Sequence, residues 1–121
     1  MRAPVTRYPP LPAFVRCPGG DVTVSLVGAA EIQQYADPGE ILHGAFVQSD
    51  RRILIRDDLK PEQRHRVLWH ELAHVAFEDS GITNGMPRTL EEAICDAFTS
   101  LAMRSWAYRG VGGRIGRRRR A

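Results

Sequence analysis

At 121 residues, with 43% apolar and 26% charged side chains, the chain has room for one domain with one core and not for two. It contains no run of about 18 apolar residues, which excludes a membrane-spanning helix, and Met1-Arg2-Ala3-Pro4 opens no apolar stretch of a secretory signal, so a cytoplasmic setting is expected. The formal charge of +3 is unevenly placed: six arginines and no acids lie from Arg109 onward, leaving eleven Lys or Arg against fourteen Asp or Glu in residues 1–108. The basic surplus belongs to the tail, not to the body. Cys17 and Cys95 are the only cysteines and are expected as free thiols, which excludes the disulfide framework of a small secreted domain.

Residues 1–20 carry Pro4, Pro9, Pro10, Pro12 and Pro18 with the pair Gly19-Gly20, so this arm runs extended over the surface. From Asp21 to Val27, Val22, Val24 and Leu26 alternate with polar or small residues, the pattern of a first strand. Ala29 to Tyr35 suits a short helix ended by Asp37-Pro38-Gly39. Gly44-Ala45-Phe46-Val47-Gln48 and Arg52-Ile53-Leu54-Ile55-Arg56 flank Ser49-Asp50-Arg51 as a hairpin would. Three strands then give a small, mainly antiparallel sheet in an α+β fold.

Pro61 fits the first turn of a helix that runs to about Glu78 and is stopped by Gly81. Leu68, Leu72, Val75 and Ala76 share its packing side, and Val67, His70 and His74 lie on the opposite side. His65 projects away from the latter face and is expected as a partly exposed surface histidine. Residues 80–88 form a loop, after which Thr89-Leu90-Glu91-Glu92 fits a capping box that opens a last helix reaching about Trp106. Beyond Tyr108, the Gly and Arg content implies a disordered tail over 109–121.

The chemistry sits in His70-Glu71-Leu72-Ala73-His74. On a helix the two histidines lie only about 40° apart, so two neutral imidazoles can share one Zn2+ ion, and Glu71 can reach a water on that ion as general base. A catalytic zinc needs a third protein ligand and an open position. Glu92 is the candidate, unless it turns back to Thr89 as a cap, in which case Glu91 is the fallback ligand. Asp96, one turn after Glu92, can accept the free N–H of a ligating histidine or stand in solvent. Cys95 suits a small buried residue better than a ligand.

His70-Glu71-Leu72-Ala73-His74 followed by Glu91-Glu92-Ala93-Ile94-Cys95-Asp96 resembles the gluzincin peptidases, whose HExxH helix is followed by a helix bearing ExxxD. With the upstream hairpin, residues 43–106 look like the ImmA/IrrE-type and related small phage metallopeptidases and the minigluzincins. The resemblance implies a minimal zincin domain over 21–108, with His70, His74 and Glu92 as zinc ligands, Glu71 as general base and general acid, and Asp96 as partner of a ligating histidine. Larger gluzincins add a lobe that supplies a group for the oxyanion; here Tyr35, His43 and Tyr108 are the substitutes. Arg16-Cys17-Pro18-Gly19-Gly20-Asp21 is faintly similar to the cysteine-switch segments that hold some zinc peptidases latent.

Two function classes follow. One is a zinc metalloendopeptidase acting on a protein or peptide substrate, of which a repressor is one candidate. It would bind extended peptide along an edge strand around Phe46. The other is a non-catalytic or latent zinc-stabilised binding module, such as a phage component. The arginine tail could add nucleic-acid binding through phosphates, although no aromatic residues interleave with its charges.

Overall fold

The structure, a computed structural model, describes residues 8–105. Its elements are β1 (Phe14–Val15), β2 (Val22–Val27), α1 (Ala29–Gln33), β3 (Gly44–Val47), β4 (Arg52–Arg56), α2 (Pro61–Ser80) and α3 (Arg88–Ser105), with a single 3-10 turn (Gln48–Asp50) between β3 and β4. The fold is α+β, as expected, but the sheet is four-stranded and mixed rather than three-stranded and mainly antiparallel. The strand order is β1-β2-β4-β3. β1 pairs with β2 and β3 pairs with β4 antiparallel, whereas β2 and β4 run parallel with Val24 opposite Ile53 and Leu26 opposite Ile55. The parallel pair arises because the second strand of the hairpin, not the first, lies beside β2. That leaves β3 on the outside, with one edge unpaired among the described residues.

Alternation along the central strands divides the core between two faces. Ile53 and Ile55 of β4 join Val22, Leu68 and Val75 in a buried cluster under α2, while Leu54 joins Val27 and Ile32 under α1. Ile53, Leu54 and Ile55 are all fully buried, and burial of each such side chain contributes about 1.5–3 kcal/mol. This continuous apolar run is what a strand covered on both faces requires.

α2 begins with Pro61 at its first position, and the Gln63 side chain accepts from the Lys60 N–H at 3.2 Å. It ends where Gly81, at φ 76°, takes the left-handed conformation that other residues resist. Leu68 and Val75 pack inward, and Leu72 is partly buried against the same cluster, but Ala76 is exposed. The packing stripe is therefore shifted and not narrowed: Ala73 is buried, and Val67, expected on the opposite side with the histidines, also packs against this cluster. His65 also departs from expectation: it is 3% exposed, and its Nε2 donates to the Pro9 carbonyl at 2.7 Å. The proline arm folds back across α2 and covers a side chain that the isolated helix would leave in water.

The same arm explains the unpredicted strand. Phe14 and Val15 lie in the proline-free interval between Pro12 and Pro18 and pair with Thr23 and Val22. After the strand, a turn places the Gly19 N–H 2.9 Å from Asp79 Oδ2 near the end of α2. Asp79 also accepts two hydrogen bonds from Arg51, at 2.8 and 3.0 Å, and Arg51 donates to the Gly20 carbonyl at 2.9 Å. One carboxylate thus ties the arm, the β3–β4 turn and α2 together. Arg51 holds a φ of 46°, costly for a side-chain-bearing residue, within this network.

The Arg51 guanidinium and the Gly19 N–H hold the Asp79 carboxyl below its ordinary range, against a burial effect in the opposite direction. A folded-state pKa lower than the unfolded one stabilises the protein above the unfolded value, and that contribution is lost as pH falls through the folded one. Asp79→Asn is therefore expected to cost about 1–3 kcal/mol at neutral pH, with the difference from wild type shrinking in acid below the ordinary aspartate range. Urea unfolding of both proteins between pH 7 and pH 3 measures it.

Candidate metal centre

α2 and α3 pack together, and each supplies half of one polar cluster. On α2, the spacing of four residues sets His70 and His74 on one face, with ring centroids 4.9 Å apart and their Nε2 atoms 3.2 Å apart. On α3, Glu92 points both oxygens at the pair, Oε1 lying 3.1 Å from His70 Nε2 and Oε2 3.0 Å from His74 Nε2. Glu92 thus turns to the histidines rather than back to Thr89. The expected capping box gives way to a helix that begins one residue earlier, at Arg88, with the Pro87 carbonyl accepting from Leu90 and Glu91 at 3.1 Å each.

Behind each imidazole lies another acid. Asp96 Oδ1 is 3.1 Å from His70 Nδ1, and Glu91 Oε2 is 2.6 Å from His74 Nδ1. The structure therefore separates the two adjacent glutamates: Glu92 faces the inner nitrogens and Glu91 an outer one. Cys95 is fully buried beside His74 and Glu91. Burial, followed by the charges of Glu92 and Glu91, pushes its thiol up to about 12 in the metal-free protein.

The donors suit a zinc ion. One donor atom from each of His70, His74 and Glu92 lies within 4.8 Å of the others, and the 3.2 Å between the two Nε2 atoms is close to the ~3.3 Å edge of a tetrahedron whose ligands stand about 2.0–2.1 Å from its centre. Two imidazoles and one carboxylate are the borderline-hard donor set that zinc takes in hydrolytic sites.

Glu71 lies next to the cluster, and burial raises its carboxyl pKa, opposed by His74 and His70 and reinforced by Glu92. Gly44 of β3 comes against it. A methyl group on Gly44 would stand 2.2 Å from Val67 Cγ1 and 3.6 Å from Glu71 Cγ, so only glycine lets the edge strand approach the site this closely. Sequence reasoning assigned Gly44 to the hairpin and missed this role; a glycine inside a strand pattern was the available signal.

Clefts open on both sides of Gly44. One is lined by His43, Val67, His70, Glu71 and Asp96, and the other by Tyr35, Phe46, Glu71, His74 and Glu92. Two of the three expected oxyanion substitutes, His43 and Tyr35, therefore reach the clefts beside the cluster, while Tyr108 lies outside the described residues. Cys17 does not join the cluster: it packs against the sheet core under α2, and its turn is tied to Asp79. The cysteine-switch likeness thus has no counterpart in this arrangement.

The model of the IrrE N-terminal-like domain, a peptidase family, matches residues 31–104. The chain belongs to this family. The matched span begins in α1 and closes near the end of α3, so it contains the edge strand, both histidines and all three acids that face them. Zinc dependence is general in IrrE-like peptidases, in keeping with the donor set gathered here. No curated protein and no solved structure gives a significant match. Among the described residues, no helix is long and apolar enough to cross a membrane.

Proposed function

We propose that this protein is a zinc-dependent endopeptidase that hydrolyses peptide bonds of a protein substrate. The observation that carries the reading is the convergence of His70, His74 and Glu92 beside a half-buried Glu71, next to the edge of β3 that is unpaired among the described residues. His70 and His74 through Nε2, and Glu92 through its carboxylate, would hold the zinc ion. When bound, zinc supplies Lewis acidity, which makes water a better nucleophile and polarises a carbonyl.

The protein's own groups complete the chemistry. An extended peptide adds to β3 through backbone hydrogen bonds, which sets its scissile carbonyl beside α2. Glu71 accepts the proton of the attacking water and returns it to the leaving amine nitrogen, a role favoured by a carboxyl whose affinity for the proton is raised by burial. Tyr35 and His43, one from each cleft, are the available donors to the developing oxyanion. An Asp96 contact on Nδ1 keeps the Nε2 lone pair of His70 directed inward.

Digestion of a peptide library by zinc-loaded protein tests the reading. New amino termini are expected, their formation stopping when a chelator removes zinc and resuming when zinc is restored. No cleavage at full zinc occupancy across a diverse library would count against an endopeptidase. A repressor remains the preferred substrate class because of the ImmA/IrrE likeness, and the arginine tail is proposed as a phosphate-binding tether to DNA near such a target.

A further inference from the structure

We propose that Glu91 is the positioning residue for His74, fixing its tautomer and ring orientation so that Nε2 is presented as a metal donor. The inference rests on the zinc-centre reading above and assigns Glu91 a role that neither the HExxH nor the ExxxD pattern contains.

A neutral imidazole carries one N–H and one lone pair, and which nitrogen holds the proton depends on the partner of each. At His74 the partners are two consecutive residues of α3: Glu91 Oε2 at 2.6 Å from Nδ1 and Glu92 Oε2 at 3.0 Å from Nε2. With a metal ion between Glu92 and the histidines, Nε2 must offer its lone pair, so Nδ1 carries the proton and donates it to Glu91. Consecutive helical residues point about 100° apart, and here that angle places one carboxylate on each edge of a single ring.

Burial sets Glu91 apart from the corresponding acid on the other histidine. The Asp96 side chain is 72% exposed and sits 3.1 Å from His70, whereas Glu91 is 17% exposed and its contact is half an ångström shorter. Water competes for Asp96 far more than for Glu91. Of the two outer contacts, the Glu91 contact is the better shielded, and His74 depends on it more than His70 depends on Asp96.

Full-length wild-type, Glu91→Gln and Glu91→Ala proteins are compared in two measurements: zinc affinity by competition with a chelator, and the tautomer of His74 by 15N NMR of histidine-labelled protein with and without zinc. Gln keeps an oxygen acceptor at the position, whereas Ala removes it. The wild type and Glu91→Gln are expected to hold His74 with the proton on Nδ1. Glu91→Ala should give mixed tautomers without zinc and bind zinc about 10–100-fold more weakly. Glu91→Gln should stay within a few-fold of wild type, which a lost charge or a lost ligand would not allow.

Circular dichroism and the thermal midpoint of the zinc-free proteins check the fold. If the alanine variant does not fold, Glu91→Met, which keeps length and lacks the acceptor, makes the same comparison. Unchanged zinc affinity and an unchanged His74 tautomer in Glu91→Ala would overturn the assignment, as would a Gln variant as impaired as Ala. A wild-type chain that binds no zinc overturns the metal-centre reading as well, so the two failures are distinct.

Discussion

Glu71→Gln is expected to slow peptide cleavage by about 100- to 10,000-fold while leaving zinc bound. The amide has the shape of the carboxylate but cannot take a proton from water, so only the general-base role is removed. His70, His74 and Glu92 keep their separations of 3.0–3.2 Å, and Glu71 is outside the donor set. Because burial opposes the charged form of Glu71, replacing it with a neutral amide should leave the zinc-free fold equally stable or slightly more so. The measurements are cleavage rate per bound zinc, zinc content and thermal midpoint. Equal cleavage by both proteins would remove Glu71 from the mechanism. No cleavage by either, with partner binding unaffected by the substitution, would favour the alternative of a zinc-stabilised binding module.

The parts of the fold visible in the sequence are those dictated by local chemistry. Pro61 and Gly81 bracket α2 because one lacks an N–H that the first turn does not need and the other tolerates a positive φ. The run Arg52–Arg56 gives β4, and the four-residue step from His70 to His74 gives a shared helical face. What sequence could not convey depends on distant segments meeting. The parallel pairing of β2 with β4 is a choice between two hairpin strands, either of which offers a suitable edge. β1 exists because two residues among prolines happen to reach Thr23 and Val22, and His65 is buried because Pro9 crosses over it.

The candidate site shows the same division. In the sequence Glu92 is the candidate ligand and its neighbour Glu91 the fallback, with the helix cap left to decide between them. Packing of α3 on α2 separates them, by sending Glu92 to both Nε2 atoms and Glu91 to one Nδ1. Gly44 likewise acquires its role only through the 2.2 Å approach that a side chain would make to Val67. Cys17 carried a motif likeness, but it is partly buried against the sheet core instead.

The second large effect concerns Glu92 and the coupling of metal binding to folding. Saturating the wild type with zinc at about 100 times its Kd is expected to stabilise the folded state by about 2.7 kcal/mol, since zinc binds a site that exists only when α2 and α3 are docked. For a domain of this size, that corresponds to a rise in thermal midpoint of roughly 10–20 °C. Glu92→Ala should lose most of that rise, because two imidazoles alone are an incomplete donor set. The zinc-free variant should differ little from zinc-free wild type, since Glu92 is 42% exposed at its side chain and leaves no buried partner of opposite permanent charge. Differential scanning calorimetry with zinc and with chelator reads both quantities. A Glu92→Ala protein that gains as much from zinc as the wild type would transfer the third donor elsewhere, with Glu91 the nearest candidate, and would reverse the division of roles between the two glutamates.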